Sequence, residues 1–152
     1  MPPRYRTRIL LGLLTPALLL GRAAAPQEPS GVLGYWQEPE GSVIRIHPCG
    51  SAVCATLVVL SRASPVRLDS HNPDRALQHR PLCGLQIGQG FHLASPGKAE
   101  GGTLYDPKSG KTYRGAMTSQ GDQLDLRGYI GFSVFGRTER WSRTAPVEAC
   151  RS

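Results

Sequence analysis

The sequence predicts an all-β fold, a single antiparallel up-and-down β-barrel of about eight strands. Short stretches of alternating or β-branched apolar residues recur along the chain, and turn-forming residues separate them. No stretch has the length and the 3.6-residue periodicity of a long helix. A meander of this many strands removes its open edges best by closing on itself, so a barrel is favoured over an open sheet.

The N-terminal residues 1–25 are predicted to be a secretory signal peptide outside the folded domain. Three arginines precede an almost wholly apolar run at residues 9–20, and small residues follow at 21–25. The apolar run is too short to span a bilayer as a helix, which favours a cleaved signal over an uncleaved anchor. We therefore expect a periplasmic or secreted protein with no stable membrane insertion after cleavage.

The charge of the mature chain is only mildly basic. The formal net charge of +7 includes four arginines of the signal segment, and its removal leaves 14 basic and 11 acidic residues, a net charge of +3. A nucleic-acid-binding surface needs a clustered basic face, and these basic residues are spread along the sequence. Nucleic acid is therefore not an expected partner.

The mature chain is predicted to form one domain, residues 32–144, between a flexible leader at 26–31 and a tail at 145–152. The predicted strands are 32–37, 42–49, 53–60, 85–94, 102–105, 112–118, 123–130 and 133–143. Turn-forming residues at 106–110 and 119–122 predict two tight hairpins.

One long loop, residues 61–84, interrupts the meander and is predicted to carry a short helix. Asn72 has the chemistry of a helix cap, Pro73 suits the first helical position, and Asp74 suits the positive end of the helix dipole. A helix of one or two turns over residues 75–80 would follow. An ordered loop of this length is a candidate contact surface for an envelope protein or polymer. Its candidate contact residues are Asp69, Asn72, Arg75 and Arg80.

The mature chain contains four cysteines, Cys49, Cys54, Cys83 and Cys150. An even number in an exported protein predicts two disulfides, and three connectivities are open. A Cys49–Cys54 bridge would staple two strands across their turn, and Cys83–Cys150 would then join the middle of the chain to its tail. A zinc site is disfavoured because no C-x-x-C pair occurs and the four histidines lack ligand spacing. No metal or other cofactor is expected.

The triplet Gly34-Tyr35-Trp36 lies on the first predicted strand. A large indole there can plug one end of a barrel, and the glycine permits another chain segment to approach closely. If the first and last strands pair, an arginine of residues 137–143 can stack on Trp36 as a cation–π contact.

Several motifs together resemble an uncharacterised family of exported bacterial proteins, domain of unknown function 2147. The motifs are G-Y-W at 34–36, C-G-x-x-x-C at 49–54, D-x-x-N-P-D at 69–74, R-P-L-C-G at 80–84, G-G-x-x-Y-D-P-K-S-G-K-T-Y at 101–113 and R-G-Y-I-G-F-S-V-F-G-R-T-E-R-W-S-R at 127–143. The resemblance implies a calycin-like barrel, the architecture of lipocalins and fatty-acid-binding proteins, and it implies no established activity. It covers residue 31 to about residue 143, so it does not supply the partner of Cys83.

The leading functional hypothesis is a binding or carrier protein for a small amphiphile such as a fatty acid. An eight-stranded barrel has an interior just large enough for side chains or one small ligand. The candidate ligand-binding residues are Arg114, Arg127 and Tyr129 near the barrel mouth, with Trp36. The candidate lumen residues are Ile46, Leu57, Val59, Met117, Leu126 and Ile130.

Two other functions stay open. The barrel could be the scaffold of an envelope interaction module that uses the loop at 61–84. A hydrolytic enzyme has the least support because no nucleophile–base pair is visible, and no catalytic residue is assigned. It would need a pocket at Asp69, Asn72 and Arg80, near Asp106 or Arg127. The sequence leaves open the ligand, the oligomeric state and whether the barrel is hollow.

Overall fold

Eight antiparallel strands form a closed barrel in which each strand pairs with its neighbours in sequence, and this confirms the predicted fold class. The structure is a computed structural model that describes residues 31–150, so the predicted signal peptide lies outside the described residues. The strands are β1 (Gly34–Gln37), β2 (Val43–Cys49), β3 (Ala52–Val59), β4 (Gln86–Ser95), β5 (Lys98–Asp106), β6 (Lys111–Gln120), β7 (Gln123–Tyr129) and β8 (Arg137–Thr144). Within residues 31–150 no helix has the length and apolar character to cross a membrane.

The barrel closes where β1 pairs with β8. Trp36 lies opposite Arg143 and Gln37 lies opposite Ser142 in this antiparallel register. Because both outer strands of the meander are thereby paired, neither presents a free backbone edge for association with another chain.

The alternating strand directions place the connections at two ends of the barrel. The upper end carries the connections 38–42, 60–85, 107–110 and 130–136, and the lower end carries the tight turns 50–51, 96–97 and 121–122. An ion pair of 2.7 Å between Lys108 and Glu40 joins two turns of the upper end.

The interior of the barrel is packed around Phe91, which is fully buried. Its ring lies against three glycines, one each on β4, β5 and β6: a Cβ added at Gly88, Gly102 or Gly115 would meet ring atoms at 3.3, 2.5 and 2.9 Å. The glycines thus leave the space that the ring occupies. The other core residues are Val32, Trp36, Ile44, Ile46, Val53, Ala55, Leu57, Leu82, Leu85, Ala99, Leu104, Met117, Leu124, Leu126 and Trp141.

Two predicted elements are corrected by the structure. The helix predicted over residues 75–80 is a single 3-10 turn, Arg75–Leu77, and its cap is Asp74, whose carboxylate accepts from the Ala76 amide. Asn72 does not cap this turn, because its side chain accepts from the Asp74 amide instead. The last strand begins at Arg137, since Ser133–Phe135 forms a second 3-10 turn.

Both disulfides are present, as Cys49–Cys54 and Cys83–Cys150. The first spans the turn between β2 and β3, and the second joins the long loop to the tail. The Cys150 amide also donates to the Val58 carbonyl of β3, so the tail lies against the barrel.

Candidate functional site

The seam of the barrel is closed by Trp36 and Arg143. The Arg143 guanidinium lies 4.0 Å from the centre of the fully buried indole, which confirms the expected cation–π contact between the first and last strands. Arg143 also donates to the Leu33 carbonyl at 3.2 Å and to the Gly31 carbonyl at 2.6 Å. Gly34 has a positive φ of 126°, and a Cβ there would meet the guanidinium at 3.0 Å. Arg143 therefore fixes the backbone just before β1, at Gly31 and Leu33, to the last strand.

The expected lumen is only partly present. Ile46, Leu57, Met117 and Leu126 belong to the buried interior. Ile130 is 69% exposed and lies beyond the end of β7, so its assignment to the lumen is wrong. Since Phe91 occupies the centre of the barrel, a ligand there would have to displace a packed ring.

The arginines assigned to the barrel mouth face the outside of the wall. On β7, Leu124 and Leu126 are buried in the interior, so the alternation of a strand directs Arg127 and Tyr129 outward. On β6 the buried Gly115 places Arg114 outward as well, opposite Tyr129 in register. The expectation that these arginines line the mouth is therefore wrong, because a residue next to an inward-facing residue on a strand, such as Arg127 next to Leu126, faces the other side of the sheet.

Arg127 and Tyr129 instead lie in a groove on the outer wall of about 650 Å³, which we call the wall groove. Strands β5 to β8 form its floor, and the connection between β7 and β8 borders it at Ser133. Its lining residues are Lys98, Glu100, Gly101, Ala116, Thr118, Asp125, Arg127, Tyr129, Ser133 and Thr138. Its volume is within the range of small-molecule sites.

The polar groups of the wall groove differ in how strongly they are engaged. Arg127 is held by the β7–β8 connection: it donates to the Ser133 carbonyl through Nε at 2.9 Å and to the Thr138 hydroxyl through Nη1 at 2.9 Å. Lys98 and Glu100 form an ion pair of 2.7 Å whose side chains are about half exposed. The Tyr129 hydroxyl makes no hydrogen bond within residues 31–150. The Tyr129 hydroxyl is therefore the donor that a ligand could engage with least rearrangement, and Lys98 is available to a ligand that displaces its exposed ion pair with Glu100.

A second polar cluster orders the long loop around the carboxylate of Asp69, which is fully buried. The Tyr105 hydroxyl of β5 donates to Asp69 Oδ1 at 2.5 Å, and Asn72 Nδ2 donates to Oδ2 at 2.7 Å. Arg80 contacts Oδ2 through Nε and Nη2, both at 2.8 Å. The cluster brings together three of the four predicted loop residues. Arg75 lies apart, exposed on the 3-10 turn.

The ionisation of the cluster favours a carboxylate next to a neutral phenol. Burial by itself raises the pKa of Asp69, but the hydrogen bonds from Tyr105, Asn72 and Arg80 outweigh it and hold the pKa below its ordinary value of 3.8. Burial, then the hydrogen bond to Asp69 and its negative charge, raises the pKa of Tyr105 from 10.0 to about 12. An ionised carboxylate surrounded by donors from the loop and from β5 holds the long loop in one conformation.

Sequence reasoning missed Tyr105 and Lys98. Tyr105 lies 36 residues from Asp69, and no local pattern indicates a hydrogen bond over that separation. For Lys98 a signal existed: it precedes the buried Ala99 on β5, so alternation places it on the outer wall. Within residues 31–150 no group of three or more acidic, histidine or cysteine side chains is arranged to hold a metal ion.

Comparison with known structures supports the barrel assignment. Protein HP1028 of Helicobacter pylori, described as a member of the lipocalin family, matches with a TM-score of 0.68 at 21% sequence identity. The match covers 78% of this chain and 84% of that chain, and at this identity it shows a shared fold. No curated protein matches the sequence. The family model described as an uncharacterised protein conserved in bacteria, domain of unknown function 2147, matches residues 34–143. The chain therefore belongs to the domain of unknown function 2147 family and has a lipocalin-like fold.

Proposed function

We propose that the protein is an exported carrier that binds a small amphiphile, such as a fatty acid, in the wall groove. The observation that carries the proposal is the groove itself, which is lined by Lys98, Arg127 and Tyr129, while the barrel centre is occupied. A carboxylate head group would accept from the Tyr129 hydroxyl or from Lys98, with Arg114 opposite Tyr129 in register and Arg127 supporting the rim. Trp36 serves in closing the barrel.

Export is part of this proposal. Two disulfides suit an oxidising compartment, and the basic and apolar pattern of residues 1–25 suits a cleaved signal. Fractionation of expressing cells should place the protein outside the cytoplasm. N-terminal sequencing of that protein should begin after Ala23, Ala24 or Ala25. Recovery of the full-length chain from the cytoplasm would contradict export.

Ligand binding is tested first by native mass spectrometry of protein purified from its host, which should carry a co-purified small molecule. In a displacement assay with a fluorescent fatty acid, Lys98→Gln combined with Tyr129→Phe should weaken binding about tenfold, since two donors to a charged head group are lost. Arg75→Gln removes an exposed cation outside the groove and should leave binding unchanged. Equal effects of both variants, or no binding by the wild type, would refute the groove as the ligand site.

A second function, contact with an envelope partner through the long loop, rests on the ordered Asp69 cluster, which fixes the loop and leaves Arg75 exposed. Arg75→Glu tests it in a pull-down from envelope extracts, because this side chain makes no contact with the cluster. Arg80 is a poor probe, since its loss also breaks the ion pair with Asp69. Capture of the same proteins by wild type and Arg75→Glu would oppose the idea.

A further inference from the structure

The connection between β7 and β8 carries an apolar surface whose role the proposed ligand site does not explain. Seven large hydrophobic side chains are exposed within residues 31–150, and four of them lie here within six residues. Their exposed fractions are 69% for Ile130, 77% for Phe132, 66% for Val134 and 83% for Phe135. We call residues 130–135 the apolar tip. Side chains exposed to this degree project from the surface and do not form the lining of a cleft.

The apolar tip is held in shape by the chain around it. Arg127 Nη2 donates to the carbonyls of Ser133 at 2.5 Å and Val134 at 3.3 Å, so these backbone oxygens point toward the barrel wall. Turn hydrogen bonds join the Phe135 amide to the Phe132 carbonyl and the Gly136 amide to the Ser133 carbonyl. A Cβ at Gly136 would meet the Gly128 carbonyl oxygen at 2.8 Å, so the backbone directly after the tip packs tightly against β7. Three backbone carbonyls of the tip are therefore engaged within the protein, while its apolar side chains are exposed to solvent.

Unpaired basic residues surround the apolar tip. Arg137 begins β8 directly after it, Arg114 lies opposite Tyr129 in register, and Lys111 begins β6 at the same end of the barrel. All three are exposed, and none forms an ion pair within residues 31–150. The sequence between Asp125 and Glu139 contains no acidic residue. Asp125 is paired with Arg140 at 3.0 Å. Two acidic residues lie near the three cations, Asp106 opposite Lys111 in register and Glu139 two residues after Arg137, so a small positive excess is left around the tip.

We propose that the apolar tip is a contact surface for bilayers of anionic phospholipid. A projecting group of aromatic and aliphatic side chains enters the boundary between head groups and acyl chains, and basic side chains around it are attracted to anionic head groups. The apolar part of this contact does not depend on the proposed ligand, because the exposed side chains of the tip are separate from the residues proposed to hold the ligand, Lys98, Arg114 and Tyr129.

The test uses the mature protein in flotation assays with vesicles of phosphatidylethanolamine and phosphatidylglycerol, against vesicles of phosphatidylcholine alone. We expect binding to the anionic vesicles that is at least about tenfold stronger and that weakens as NaCl rises from about 0.05 M to about 0.5 M. The double variant Phe132→Ser, Phe135→Ser should abolish vesicle binding, and Lys111→Gln with Arg137→Gln should weaken it. The matched control is Leu93→Ser, since Leu93 is 48% exposed on β4 near the lower end.

A fluorescence reporter adds a direct readout of insertion. Trp36 and Trp141 are both buried, so a Phe132→Trp variant introduces an indole in a different environment. Its emission should shift to the blue with anionic vesicles and stay unchanged with neutral ones. Vesicle binding by the double serine variant, or equal loss in Leu93→Ser, would overturn the proposal. A third contrary outcome is a wild-type protein that binds no vesicles and sediments as a dimer, while the double serine variant sediments as a monomer. The tip would then be a contact surface for a second copy of the chain. Fatty-acid displacement is measured separately, in solution without vesicles. Failure of the ligand proposal can therefore be distinguished from failure of the membrane proposal.

Discussion

At the scale of single residues, the buried Asp69 carboxylate is the most constrained charge in the described chain. A fully buried carboxylate is unfavourable unless donors and a counter-charge replace water. Tyr105, Asn72 and Arg80 supply both, and Tyr105 belongs to the barrel wall, not to the loop. One side chain thereby orders the loop internally and fixes it to β5.

Asp69→Asn should destabilise the protein by about 2–3 kcal/mol at neutral pH, because hydrogen bonds to a charged group are lost while Arg80 stays partly solvated. The folded-state pKa of Asp69 is below its unfolded value of 3.8, so its contribution is complete above that value and is lost as the pH falls through the folded pKa. Urea denaturation at several pH values should therefore show the gap between wild type and variant closing below about pH 4.

Asp125→Asn is the matched control, since it neutralises the partly exposed ion pair with Arg140 and should cost no more than about 1 kcal/mol. A gap for Asp69→Asn that persists unchanged into strong acid would contradict the assigned role of the ionised carboxylate.

At the scale of elements, the sequence pattern predicts where the strands lie. It also contains information on which side chains face the interior, as β7 shows. Turn chemistry at 106–110 and 119–122 placed two hairpins, and both are present between the named strands. Residues 133–135 are predicted as the start of the last strand, yet they form a 3-10 turn. Val134 and Phe135 are exposed and do not belong to the core. The strand that buries Trp141 begins only at Arg137. The apolar residues Leu124 and Leu126 indicate the inner side of β7, so the alternation of the strand predicts that Arg127 faces outward.

The packing of Phe91 could not be predicted from local pattern, because its contacts come from three strands. Gly115→Ala places a methyl group 2.7 Å from Leu104 Cδ1 and 2.9 Å from the Phe91 ring. Overpacking of this kind costs about 1–3 kcal/mol. We expect a loss of stability in that range, measured by the midpoint of urea unfolding.

Gly97→Ala is the control for that prediction. A Cβ at Gly97 meets Ser119 atoms at 3.4 and 3.6 Å, which are ordinary contacts, and neither glycine has a positive φ. This variant should be neutral or stabilised by about 0.4–1 kcal/mol through the unfolded chain. If Gly115→Ala proved as stable as Gly97→Ala, the tight seating of Phe91 on its glycines would be wrong.

At the scale of the whole molecule, three connections with different reach in sequence hold the barrel closed. The pairing of β1 with β8 joins strands about a hundred residues apart, and Arg143 reinforces it through the Gly31 and Leu33 carbonyls. The Cys49–Cys54 disulfide acts locally, across one turn, whereas Cys83–Cys150 spans 67 residues. The region that matches the family ends at residue 143, so the long disulfide uses a cysteine outside the matched barrel.

The two disulfides should contribute unequally to stability, because they close loops of different length. On the loop-entropy model, Cys49→Ser with Cys54→Ser should cost about 2 kcal/mol, and Cys83→Ser with Cys150→Ser about 4 kcal/mol, because a longer closed loop restricts the unfolded chain more. Urea unfolding followed by tryptophan fluorescence measures both costs, since Trp36 and Trp141 are buried in the folded state. Both variants should retain the strand-dominated circular dichroism of the wild type, which serves as the control for folding. An equal cost for the two pairs would mean that contacts of the folded tail, and not restriction of the unfolded chain, decide what the long bridge contributes.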